Sequence, residues 1–108
     1  MAQLYSPDKL VRETAAQKLS QIGDKLSQNR VNELISIMRH GNESWQTSSA
    51  RNEGRHCTDY EYTSIKHYAA TVLAGMSSQY VSSDVAREAR KSQSDSVTTK
   101  RVTDPGWI

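Results

Sequence analysis

Val11-Arg12-x-x-Ala15-Ala16-x-x-Leu19-x-x-Ile22 recurs 54 positions later as Ile65-Lys66-x-x-Ala69-Ala70-x-x-Leu73-x-x-Met76. Both copies set a β-branched residue, a base, an alanine pair, a leucine and a large apolar residue at the same offsets. Three- and four-residue spacing puts the apolar positions on one stripe of an α-helix. A helix that occurs twice in one chain is the mark of stacked units, none of which can bury its apolar face alone.

The first copy has clear ends. Ser6 can cap the helix, Pro7 suits a first turn, and Asp8 sits near the positive end of the helix dipole. Leu10, Val11, Ala15, Leu19 and Ile22 are its expected buried stripe, and Gly23 its expected stop in the left-handed conformation. A second helix should run from Asn29 or Arg30 to His40, burying Val31, Leu34, Ile35 and Met38 and closing at Gly41. Residues 42–57 show no period and are mostly small and polar, which predicts a long loop. Thr58-x-x-Glu61 has capping-box spacing and should open the third helix. Ser82 or Ser83 should cap a last helix through Lys91, with Val85, Ala86 and Ala89 inward. From Ser92 the chain reads as a polar tail, 92–108, which Trp107 would dock. The expected domain is therefore 1–91.

Asp8-x-x-Val11-Arg12-x-x-Ala15-Ala16-x-x-Leu19-x-x-Ile22-Gly23 resembles the second helix of a HEAT repeat. In that family the small pair lets two helices approach closely, and an early basic residue sits near an acidic one, a role Asp8 matches. The second copy departs from the pattern: Lys66 replaces Arg, Tyr62 stands where Asp8 stood, and Gly75 comes one place earlier than Gly23. The resemblance covers 6–23 and 29–76. It implies an all-α fold of four to five helices in HEAT-like antiparallel pairs, with loop 42–57 stretching the period beyond the usual ~40 residues. Such arrays need about three repeats. With one full unit here, an apolar face is left for capping helices or a partner, and a homodimer covers it most simply.

At 108 residues, 35% hydrophobic and without Phe, the chain has a modest core to build. No apolar run approaches the ~18 residues of a membrane span. The charge is balanced at +2, and residues 43–64 hold two basic against four acidic residues. That local excess of acid argues against Tyr60, Tyr62 and Tyr68 stacking on bases. Arg87, Arg90 and Lys91 read as a solvated edge, and nucleic acid is not the expected partner. Cys57 is the only cysteine, so no intramolecular disulfide forms. His56-Cys57 with Asp59 and His67 is the one cluster that suggests chemistry. Its spacing matches neither a zinc site nor an activated nucleophile. No enzyme activity, cofactor or metal is expected.

The expected function is a protein–protein interaction module, in its sharpest form a bacterial immunity or inhibitor protein that blocks a partner enzyme. Trp45, Arg51, Arg55, Tyr60 and Tyr62 are its expected contacts, because interfaces favour Trp, Tyr and Arg. A structural homodimer and a nucleic-acid-binding helical domain are the alternatives. Met1-Ala2-Gln3 would fit a periplasmic chain whose signal peptide has been replaced by Met1; otherwise the chain is cytoplasmic.

Overall fold

A computed structural model of the chain describes residues 2–52 and 56–104, and side chains for 2–47 and 59–100 of these. Four α-helices, α1 (Lys9–Gln21), α2 (Gln28–His40), α3 (Ile65–Gly75) and α4 (Ser83–Asp95), carry the core. Three strands, β1 (Ser44–Asn52), β2 (His56–Ser64) and β3 (Val97–Asp104), form an antiparallel sheet in the order β1-β2-β3. The sheet overturns the expectation of an all-α fold of four to five helices: the described residues hold four α-helices and three strands. Residues 42–57 are not a long loop, since they hold all of β1 and the start of β2. The segment 92–108, read as a polar tail, supplies the end of α4 and all of β3. Trp107 lies outside the described residues.

Helix α3 is the hub. Ile65, Tyr68, Ala69, Ala70, Val72 and Leu73 are all buried, which makes it apolar on several sides, as a helix enclosed by neighbours must be. It packs against α1, α2 and α4. Lys9, at the start of α1, meets Glu61 just ahead of α3, and Gly23 just after α1 abuts Met76 just after α3. The two similar helices therefore run in the same direction. Helix α4 runs the other way, because Ser64 N donates to Ser96 O at 3.0 Å across opposite helix ends.

The alanine pairs Ala15-Ala16 and Ala69-Ala70 are all buried. The rest of the α1 stripe differs from expectation. Leu10 is 69% exposed and Val11 and Ile22 are also exposed, while Arg12 is buried. The inward face is Arg12, Ala15, Ala16 and Leu19, centred on the alanines because only small residues allow close contact with α3. Asp8, not Ser6, caps α1, its carboxylate accepting from Leu10 N at 2.9 Å. Thr58 and Glu61 are strand residues, and Ser64 caps α3 instead. Gly23 does not stop α1 with a left-handed residue; it provides room, since a Cβ there would overlap the Cβ of Met76. At Gly75 the equivalent atom would meet only the Ser20 hydroxyl.

The sheet is rooted where Ser44, Ser64 and Val97 follow or precede helix ends, and it leads away from the bundle. The molecule measures 58 × 24 × 21 Å with a radius of gyration of 16.5 Å, against about 13 Å for a compact chain of this length. No described helix is long and apolar enough to cross a membrane.

Two expectations follow. Gly23→Ala should cost about 1–3 kcal/mol, because it presses on atoms close to the backbone. Gly75→Ala should cost less, since a hydroxyl rotates away; urea unfolding midpoints of the two variants check the order. The second concerns Arg39 and Glu88, which join α2 to α4 through paired 2.9 Å hydrogen bonds. Those bonds hold the Glu88 carboxyl below its usual range. A depressed carboxyl stabilises the fold above its unfolded pKa of about 4.3, and that contribution disappears as pH falls through the folded value. Both groups are exposed, so the effect should be small and weakened by salt. Glu88→Gln should flatten that part of the stability–pH curve.

Candidate functional site

Arg12 is 1% exposed, an expensive place for a charge. Its guanidinium lies 4.1 Å from the ring centroid of Trp45 and 5.4 Å from that of Tyr68. Its Nη1 donates to Ser6 O at 2.7 Å. Trp45 meets Tyr68 edge-on, with centroids 5.9 Å apart. The cation is thus held by two ring faces and one carbonyl. Arg12 Nε and the Tyr68 hydroxyl are buried without a hydrogen-bond partner. Trp45, expected as a partner contact, is half-buried under Arg12 and fastens the root of β1 to α1 and α3.

Pleating sorts the rest of the sheet. Trp45 pairs with Thr63, Thr47 with Glu61, and Gln46 with Tyr62. Paired residues share a face and neighbours along a strand alternate. Thr63 and Glu61 therefore share the inner face with Trp45, and Asp59 takes the same parity. Glu61 accepts from Lys9 Nζ at 3.2 Å, a bond that raises the Lys9 pKa. Tyr60 and Tyr62 occupy the outer face, opposite Lys100 and Thr98 in β3. Tyr62 is 39% exposed. The expected contact set is thereby split between two faces. Arg51 lies in β1 opposite Cys57, with its side chain outside the described atoms, and Arg55 lies outside the described residues.

Tyr62 also lines a groove of about 600 Å³ at the root of the outer face, together with Lys66, Lys91, Asp95 and the Arg39–Glu88 pair. Neither Lys66, Lys91 nor Lys100 has a carboxylate partner among the described residues. Lys66 is four residues from Tyr62 in the sequence, whereas Lys91 arrives on α4 and Lys100 with the return of β3 alongside β2.

Two edges border the sheet. Residues 44–50 of β1 contain no charge, proline or glycine, whereas β3 carries Lys100, Arg101 and Asp104. Among the described residues no strand pairs with the outer edge of β1.

The cluster around Cys57 is dispersed. His56 and Cys57 are in β2, opposite Asn52 and Arg51, while His67 is engaged in the bundle. Its Nδ1 lies 2.8 Å from Gln93 O, an atom that only accepts, so that nitrogen carries the proton. No metal-binding group of three His, Cys, Asp or Glu occurs among the described residues.

Arg12→Ala should destabilise the protein by about 3 kcal/mol, the sum expected for a desolvated cation–π contact and a charged hydrogen bond. Arg12→Lys should recover only part of this, since an ammonium cannot lie flat between two rings. Thermal melts of the three proteins measure both. No protein-family model matches this chain, and neither the curated proteins nor the solved structures include a significant match.

Proposed function

We propose that this chain is a non-catalytic protein-binding module that takes up an extended segment of its partner along the free edge of β1. The observation that carries this reading is the bare edge itself. Nine residues of β1 pair with β2 on one side and with no described strand on the other. An unpaired strand presents a row of N–H and C=O groups that another chain can complete. Folded proteins ordinarily guard such an edge with charge, proline or a bulge. Residues 44–50 carry none of the first two, and the one-to-one register from Ser44 to Asn52 leaves no room for the third.

The projecting sheet suits this role. Its root is fixed by the Arg12–Trp45–Tyr68 contact, so the edge is held in place before a partner arrives, which lowers the ordering cost of association. An inhibitor or immunity protein that inserts this arm into an enzyme's cleft is a narrower form of the same reading. It draws its support from the 58 Å length of the molecule.

Adjacent N–H groups in a strand point to opposite sides, so one of Thr47→Pro and Ser48→Pro breaks the β1–β2 ladder and the other touches only the free edge. The variant that keeps a wild-type circular dichroism spectrum should bind a partner captured from the source organism at least about tenfold more weakly. Equal binding by that variant overturns the proposal.

A further inference from the structure

We infer that the outer face of the sheet, together with the groove at its root, binds single-stranded nucleic acid. This surface is separate from the β1 edge, and the inference does not rest on strand addition.

Tyr60 and Tyr62 are two residues apart on one strand, so they share a face and lie about 6.6–7 Å apart. That spacing leaves room for two unstacked bases, each against its own ring. Sheets that bind single strands use aromatic rings in this way, because every base offers a π-face. Cations surround the two tyrosines. Lys100 stands directly across from Tyr60, and Tyr62 opens onto the groove that contains Lys66 and Lys91. Arg39 and Glu88 satisfy each other there, leaving three unpaired lysines against the single carboxylate of Asp95.

The two acids of β2 that flank the tyrosines do not share this face. Glu61 is turned inward to Lys9, and Asp59 alternates with the tyrosines on the inner side. Ser44, Ser64 and Thr98 line the same groove, and a hydroxyl is a neutral donor for a phosphate oxygen; Ser92 and Ser96 there bond each other. An acidic peptide would use the lysines but has no need of two ring faces at this spacing. The rings decide in favour of nucleic acid.

The test is fluorescence anisotropy with a labelled twelve-residue oligothymidylate and the full chain, starting at low salt. Saturable binding is expected, with log K falling against log salt at a slope near −2, about −0.7 for each of three phosphates contacted. Tyr60→Ala and Tyr62→Ala should each weaken binding about 5- to 100-fold, whereas Tyr62→Phe should retain it. Lys66→Ala should make the slope shallower by about 0.7. Circular dichroism confirms that each variant is folded, and the phenylalanine variant reports on the ring if an alanine variant is not. Absence of binding at low salt overturns the inference. So does binding that persists undiminished in folded Tyr60→Ala and Tyr62→Ala, or tighter binding to a polyglutamate peptide of equal charge.

Discussion

A buried guanidinium joins the two halves of this molecule. Arg12 comes from α1, Tyr68 from the central helix and Trp45 from the first strand, so one contact ties helix to helix and sheet to both. A charge removed from water needs strong compensation. Two ring faces and the Ser6 carbonyl provide it here, with no carboxylate at ion-pair distance among the described residues. Besides that contact, the Lys9–Glu61 pair and the chain connections at Ser44, Ser64 and Val97 attach the sheet to the bundle.

Around this junction the bundle depends on small residues. Four buried alanines in two pairs, with Gly23 against Met76 and Gly75 against Ser20, let α1 lie close along α3 in the same direction. Larger apolar residues such as Leu10 and Ile22 are left at the margin of the contact. The hub position of α3 explains why its sequence is apolar on more than one side while α4, with only Ala89 fully buried, is largely polar.

The sheet's two surfaces follow from pleat and order. β2 alternates acids and tyrosines, and pleating separates them, sending Glu61 to Lys9 and the tyrosines to the lysines. Strand order then leaves β1 as an edge uncharged over residues 44–50, with Arg51 beyond them, and β3 as one that carries Lys100, Arg101 and Asp104. A backbone edge suited to an extended chain and a ring-bearing face suited to bases are distinct surfaces on one arm.

Much of the bundle was legible in the residues themselves. The repeated Val/Ile-base-Ala-Ala-Leu pattern identified α1 and α3, and the stripe Val31, Leu34 and Met38 identified α2, because helical burial leaves a period in the sequence. The strands left a fainter trace. Thr58, Tyr60 and Tyr62 alternate with polar residues, and Val97, Thr98, Thr99 and Val102 are β-branched, a bias toward strand that could have been recognised. β1 had almost no such signal, since a strand that projects from the core has little apolar surface to bury. In β2 the capping-box spacing of Thr58 and Glu61 competed with the strand signal. Helix identity was thus written locally, in the period of burial. The burial of Arg12, the side of the sheet that Tyr60 and Tyr62 face, and their approach to Lys91 and Lys100 depend on contacts between distant segments, which only the folded chain creates.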